Sequence, residues 1–235
     1  MNTRLGVTLD TSDQAAYRAG KTTKSIYMYP SPIRSHRRAD IAVHTVGLSF
    51  ILIAGTLLIL KATSTLSISL LLAALVYVAC GLVSNLSSWA YHFAPWHTKR
   101  TFLRRIDHAA IYTSITGTFT PLLVQAGTTR TFVILALCWA LALVAIWNKI
   151  TNPEIKSKWS TASYLALGAI GLLALPDLKN VPSETPKLIL AGSSAYAIGT
   201  IFYARKTLPF RYAIWHGWVT LGGMLMFAGI WLALF

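Results

Sequence analysis

The chain places an acid and an imidazole next to each other at the start of a hydrophobic run. Asp107 and His108 open the apolar stretch 106–126, in a chain of 235 residues with only seven Asp and Glu. An ionisable group at membrane depth is expensive, so Asp107 marks a candidate functional site. Carboxylates and imidazoles are also the side chains that proteins use for acid–base chemistry and for binding zinc.

Composition indicates an all-α integral membrane protein. Hydrophobic residues make up 54% of the chain and charged residues 12%, and the mean hydropathy is +0.55. The net charge of +14 would suggest nucleic-acid binding in a soluble protein. Here the basic residues lie between the apolar runs, where Lys and Arg set membrane topology, so nucleic acid is excluded as a partner.

Seven apolar runs are near the length that crosses a membrane, and they should be helices because lipid offers no partner to backbone N–H and C=O groups. They cover residues 41–60, 68–92, 106–126, 131–148, 160–176, 187–204 and 211–234. The connections are short, so we expect one seven-helix domain over 40–235. The basic segment 1–39 contains no apolar stretch, which argues against a cleaved signal peptide and predicts a cytoplasmic tail.

The distribution of basic residues predicts the orientation. If all seven runs cross, 17 of the 21 Lys and Arg fall on the side of the N-terminus and four on the other side. The positive-inside rule then places the N-terminus in the cytoplasm and the C-terminus outside. Membrane lipids are the expected partners, and anionic head groups should gather at the basic cytoplasmic face.

The scarce polar residues cluster at the cytoplasmic ends of four predicted spans. Helical spacing gives each span one polar stripe: Gly81, Asn85, Ser88 and His92; Asp107, Ala110, Ser114 and Thr118; Tyr212, His216 and Thr220; and Asp40 with His44. We expect His92, Asp107 and His216 to share a pocket, with Ser88 supporting it. The alternative is a polar clamp that joins helices through hydrogen bonds of about 0.6–2 kcal/mol each.

The remaining histidines and the two cysteines suggest structural roles. His36, His44 and His97 lie near predicted helix ends and are interpreted as interfacial or hydrogen-bonded residues. His108 points about 100° away from Asp107 around the helix and faces a different neighbour. Cys80 and Cys138 lie in different spans without metal-site spacing, which is typical of small buried apolar side chains.

Four motifs resemble the bacterial hemolysin III family, the prokaryotic branch of the progesterone and adipoQ receptor superfamily. The segment 88–92 (SWAYH) is similar to the family's S-x-x-Y-H. The segments 105–112 (RIDHAAIY) and 117–121 (GTFTP) are similar to its R-x-D-H-x-x-I-Y and G-T-Y-T-P block. Residues 196–203 resemble its sixth span, and 216–222 (HGWVTLG) resembles H-x-F-V-x-x-G.

The resemblance implies a seven-helix protein of the bacterial plasma membrane, with zinc near the cytoplasmic face. In the family, one span 2 histidine and two span 7 histidines hold the metal, and a span 3 aspartate contacts its water. His92 and His216 match ligands, and Asp107 matches the aspartate. The remaining ligand position is Tyr212, and a further family histidine falls on Met226.

Three interpretations of the metal site stay open. Asp107 could complete a set of two imidazoles and one carboxylate, Tyr212 could coordinate as a phenolate, or the group could be a hydrogen-bonded core without metal. The first two would suit a ceramidase-like lipid amide or ester hydrolase. In it, His92 and His216 hold zinc, Asp107 activates water, and Ser88 supports a ligand or the oxyanion. The third would suit a non-enzymatic sensor or modulator of membrane lipid.

Other functions of seven-helix proteins do not fit the sequence. A retinal protein needs a lysine within span 7, and the nearest one, Lys206, precedes that span. A transporter would be expected to show internal repeats or more embedded carboxylates. No polar stripe runs the full length of a span, which argues against a pore.

Overall fold

The computed structural model describes residues 29–152 and 157–235, and every regular element within them is a helix. The seven α-helices of these ranges are α1 (Arg34–Thr65), α2 (Ile68–Phe93), α3 (Arg100–Ala126), α4 (Thr129–Thr151), α5 (Ser157–Leu172), α6 (Glu184–Ala204) and α7 (Arg211–Leu234). Short 3₁₀ helices at His97–Lys99 and Leu175–Asp177 lie in two of the connections.

Each helix corresponds to one predicted apolar run, but several ends differ. Helix α1 begins at Arg34, so the last residues of the predicted tail 1–39 are helical, whereas residues 1–28 of that tail lie outside the described residues. Helix α5 ends at Leu172, before the predicted end at 176. Pro176 accounts for the early end, because proline has no N–H to donate and disfavours α geometry in the residue before it.

The outer surface of the bundle is apolar, as expected for a protein that lies in lipid. Large hydrophobic side chains such as Ile53, Leu60, Val133 and Trp147 are well exposed. Helices α1, α2, α4 and α7 are each long and apolar enough to cross a membrane. Helix α5 has only 16 residues, and α3 carries buried threonines in its apolar stretch. The chain is an all-α membrane protein.

Small residues set how closely the helices pack. Gly117 of α3 lies against Cys80 of α2, so closely that a Cβ atom at 117 would come within 2.5 Å of the Cys80 Cβ. Helices α6 and α7 approach in the same way at Gly192 and Gly222. Cys80 and Cys138 are both buried, unpaired thiols, which agrees with their expected role as small apolar side chains.

A buried arginine fixes the junction between α2 and α3. The Arg100 guanidinium donates to the backbone carbonyl of Ala94 at 2.6 Å and also to the carbonyls of Ala90 and Tyr91. These carbonyls belong to the last turn of α2 and the residue after it, where the helix has no further N–H groups to offer. The cation therefore caps α2 and holds its end, which includes His92, against the start of α3.

The close contact at Gly117 gives a test of the α2–α3 packing. Gly117→Ala should lower the free energy of unfolding by about 1–3 kcal/mol, since the added methyl group collides with Cys80. Combining it with Cys80→Gly should restore much of the loss. Gly168→Ala is the matched control, because no atom lies within 4 Å of its added Cβ. Thermal unfolding in detergent measures all four proteins, and equal midpoints for the two alanine variants would contradict this packing.

Candidate metal centre

Helix α1 presents one buried stripe to its neighbours. The buried residues recur every three or four positions, as the helical period requires: Asp40, His44, Gly47, Ile51, Ala54, Gly55, Leu58 and Ala62. The two ionisable residues occupy the first turns of this stripe. Gly47 follows one turn later, where a Cβ would lie 3.1 Å from Thr220 Oγ1 and 3.2 Å from Asn85 Oδ1. The missing side chain lets α1 approach α2 and α7 closely at the level of Asp40 and His44.

Asp40 is the centre of a buried group of three imidazoles. Its side chain has no solvent exposure. One carboxylate oxygen accepts a hydrogen bond from His92 Nδ1 at 2.8 Å, and the other accepts from His216 Nδ1 at 2.7 Å. Hydrogen bonds of this kind to an ionised acceptor are short and strong. The carboxylate thus ties α1 to the end of α2 and to the beginning of α7.

His44 completes the group from α1 itself. Its Nδ1 donates to the Asp40 carbonyl at 2.8 Å and lies 3.3 Å from an oxygen of the Asp40 carboxylate. Its Nε2 lies 3.1 Å from Ser88 Oγ, which donates to it when Nδ1 carries the ring proton. The three imidazole rings have centroids 4.0–5.2 Å apart. Ser88 is therefore a direct support of one of the imidazoles.

The Nδ1 atoms of all three histidines are engaged by Asp40. An Nδ1–H that donates to an oxygen leaves the Nε2 lone pair of the same ring as its acceptor or metal-binding atom. Histidines that bind metals commonly have this arrangement, with the second nitrogen held by a carboxylate or a backbone carbonyl. Asp40, His44, His92 and His216 also offer ligand atoms within 4.8 Å of one another. The group is a candidate metal centre.

A large cavity begins at this centre and continues into the bundle. Its volume is about 400 Å³. His44, His92, His216 and Ser88 line one end, and the walls beyond are mainly apolar, with side chains such as Phe50, Ile115, Phe119, Leu172 and Met226. Pockets with this design, a few polar groups at one end of an apolar space, are typical of small-molecule sites. The cavity is thus polar at the histidines and mainly apolar beyond them.

The predicted site residues lie at the same end of the bundle, but only some of them belong to the cluster of four. His92 and His216 are in the cluster of four, and Ser88 contacts His44. Asp107 lines the cavity beside Ser88 and within electrostatic range of His92, but it is not one of the four clustered residues. Tyr212 also lines the cavity, and its ring packs edge-on against His92 with centroids 5.1 Å apart.

The central acid, Asp40, is not among the residues that the sequence predicts to form the site. Asp40 and His44 form the predicted polar stripe of span 1, and His44 is expected to be interfacial or hydrogen-bonded. His44 is hydrogen-bonded as expected, yet it is buried within the cluster. The signal that could have found both is the i, i+4 spacing of an acid and an imidazole on the face that also carries Gly47 and Gly55.

The other histidines lie outside the cluster. His36 packs against the ring of Phe210, and His97 lies 3.1 Å from the Arg100 guanidinium. His108 lines the cavity and packs edge-on against Tyr91, and its charged neighbours include Lys149 of α4. Met226, at a histidine position of the resembled family, packs in the apolar wall against Gly192.

Comparison with known proteins identifies the family. The sequence model described as "Haemolysin-III related" matches residues 35–227. The chain belongs to this family. It is 32% identical over 191 residues to "Hemolysin-3 homolog" of Bacillus subtilis (strain 168), an alignment that covers 80% of this chain and 90% of that protein. It is also 32% identical to "Hemolysin-3" of Bacillus cereus over 80% of this chain and 87% of that protein.

Within this haemolysin III protein, the Asp40 contacts should dominate local stability. Asp40→Asn removes the charge that two imidazoles donate to, and we expect a loss of about 3 kcal/mol, as for other broken buried pairs. Asp177→Asn is the control, because its partner Arg130 is largely exposed. Such surface pairs contribute about 0–1 kcal/mol. Thermal unfolding of both variants measures the difference, and similar midpoints would show that the Asp40 hydrogen bonds are not important.

Proposed function

We propose that this protein is a metal-dependent hydrolase that cleaves an amide or ester bond of a membrane lipid. The observation that carries the proposal is the position of the Asp40 cluster at the polar end of a long apolar cavity. A lipid chain would fill the apolar part, and its polar linkage would then lie at the cluster.

The donor set fits zinc. Three imidazoles with one open position form a common catalytic zinc site, and an acid that holds Nδ1–H orients such ligands. His44 supplies the third imidazole, so the tyrosine at position 212 does not leave the site with two ligands. We assign His44, His92 and His216 as ligands and Asp40 as the residue that orients them, with the Asp40 carboxylate itself as the alternative ligand.

Chemistry at the site would be shared between the metal and two neighbouring side chains. Zinc held there would supply a Lewis acid and would lower the pKa of a coordinated water to about 7. Asp107 lies in the cavity beside the cluster, where it can accept a proton from the attacking water and pass it to the leaving group. Ser88 keeps the His44 ring in place through its hydrogen bond to Nε2, or it turns toward the oxyanion when His44 binds metal.

We further propose that all seven helices cross the bacterial plasma membrane, with the N-terminus in the cytoplasm. The support is the excess of Lys and Arg on one side, which holds for the observed helix ends as well as the predicted runs. Asp40, His92, Asp107 and His216 all lie near the helix ends on that basic side. A substrate would therefore enter from the inner leaflet.

A second candidate is a non-enzymatic sensor or modulator of membrane lipid. One observation favours it: the Asp40 carboxylate already accepts hydrogen bonds on both oxygens, so the cluster is satisfied as a polar clamp between α1, α2 and α7. In this candidate, the cavity binds lipid without cleaving it. Metal content and turnover separate the two candidates.

Metal content is the first test of the hydrolase. Purified wild type should contain stoichiometric zinc by elemental analysis, and His44→Ala and His92→Ala should lose it because each removes a ligand. Tyr212→Phe is the control and should keep the zinc, since the tyrosine is not assigned as a ligand. Zinc that appears only in Tyr212→His, with none in wild type, would instead support the sensor.

The role of Asp107 is tested by turnover. Asp107→Asn should keep its zinc but lower the hydrolysis of a fluorogenic lipid amide or ester by about 10²–10⁴-fold, the usual contribution of a general base. Ser114→Ala, about two turns further along α3 in the same cavity wall, is the control and should retain activity. Full activity of Asp107→Asn would exclude this acid from the mechanism.

A further inference from the structure

A buried lysine lies at the same end of the bundle as the metal centre, on the opposite side of the cavity. Lys149 is near the end of α4 and is only 8% exposed. Its ammonium donates to Ser160 Oγ at 2.7 Å, and Ser160 lines the cavity. An ammonium has three protons to donate. Among the described residues, Lys149 makes a single hydrogen bond, the one to Ser160.

No acidic side chain of residues 29–152 and 160–235 forms an ion pair with Lys149. Its charged neighbours are Arg104 and, when protonated, His108, both of the same sign. A buried charge without a counter-charge is costly. Asp40 cannot balance this region, because its carboxylate is occupied by the three histidines on the other side of the cavity.

More cations surround this end of the cavity. The Arg211 guanidinium lies over the rings of Tyr203 and Tyr212, at 5.1 and 4.6 Å from their centroids, and both rings line the cavity. Arg104 is exposed at the beginning of α3, on the side of Lys149. Positive charge therefore lies behind the cavity wall at two places: Lys149 behind Ser160, and Arg211 against Tyr203 and Tyr212.

We propose that Lys149 and Ser160 form the binding site for the anionic head group of a lipid, which makes an anionic amphiphile the substrate class of this protein. The inference rests on the proposed function in one respect, that the cavity holds the substrate. A phosphate or carboxylate placed beside Ser160 would supply the counter-charge that no acidic side chain of residues 29–152 and 160–235 supplies to Lys149. Arg104 and Arg211 would attract it to this end of the cavity. The apolar wall would hold the chain, and the bond to be cleaved would lie toward the histidines.

The test is a comparison of binding by full-length protein in neutral detergent. The probes are lysophosphatidylglycerol and lysophosphatidylcholine of the same chain length, with glycerol 3-phosphate as the head group without a chain. Wild type should bind the anionic lysolipid at least ten-fold more tightly than the zwitterionic one. Equal affinities would overturn the proposal, and binding of glycerol 3-phosphate as tight as that of the lysolipid would assign the site to a soluble anion instead.

Variants assign the preference to Lys149. Lys149→Met, which keeps a long buried side chain, should abolish the preference, and Lys149→Arg should retain it. Lys187→Met is the control, because Lys187 is exposed at the opposite end of the bundle. Ser160→Val is the second variant, for use if Lys149→Met does not fold. It keeps the Lys149 ammonium but places an apolar side chain between it and the cavity, so it should also lose the preference. A preference that survives in every folded variant would overturn the assignment.

A variant of the metal centre distinguishes the head-group proposal from the hydrolase proposal. His92→Ala should lose zinc and hydrolysis but keep its preference for the anionic lysolipid, since it leaves Lys149 untouched. Lys149→Met should keep zinc. Failure of the hydrolase alone would thus leave the head-group site standing, and loss of the preference alone would leave the hydrolase standing.

Discussion

The structure depends on one buried carboxylate that holds three imidazoles from three helices. Asp40 engages His92 at the end of α2, His216 at the start of α7 and His44 one turn along its own helix. In lipid, apolar side chains gain nothing by leaving one apolar surrounding for another, so hydrogen bonds and close packing must specify how helices associate. A charged group that three helices share is therefore a strong constraint on where those helices can lie.

Close helix packing makes this constraint possible. The side chain of an aspartate is short, so α1 must approach both α2 and α7 before the carboxylate can contact both histidines. Gly47 permits that approach, because Thr220 of α7 and Asn85 of α2 occupy the space where a Cβ would be. The cavity lies beyond these contacts, toward α5, whose Tyr164 and Ser163 make hydrogen bonds to α3. Tight packing on one side and open space on the other give a fixed centre next to a space for a ligand.

The sequence predicted the helices well because each apolar run has the length of a span and is separated from the next run by a short polar connection. It also predicted the stripes of α2 and α7 that face α1, since Gly81, Asn85 and Thr220 follow the helical period. It did not identify the partner of His92 and His216. Asp107 was the more conspicuous acid, because it lies in the most recognisable motif, whereas Asp40 lies next to the basic residues Arg37 and Arg38 and resembles part of a polar tail. The i, i+4 spacing of Asp40 and His44 marks one face of α1, but only the position of α1 in three dimensions shows that this face meets His92 and His216.

The two acids and the buried lysine together suggest how a substrate would be oriented. The Asp40 carboxylate accepts hydrogen bonds from His92 and His216, so its two oxygens face these rings. In the proposed mechanism, Asp107 lies beside Ser88 in the cavity wall, near the bond to be cleaved. Lys149 lies near His108, which points about 100° further around α3 from Asp107. In the proposed orientation, an anionic head group would be attracted to the side of α3 that faces Lys149. The same attraction would keep the head group away from the proposed metal ligands, where it would otherwise compete with water.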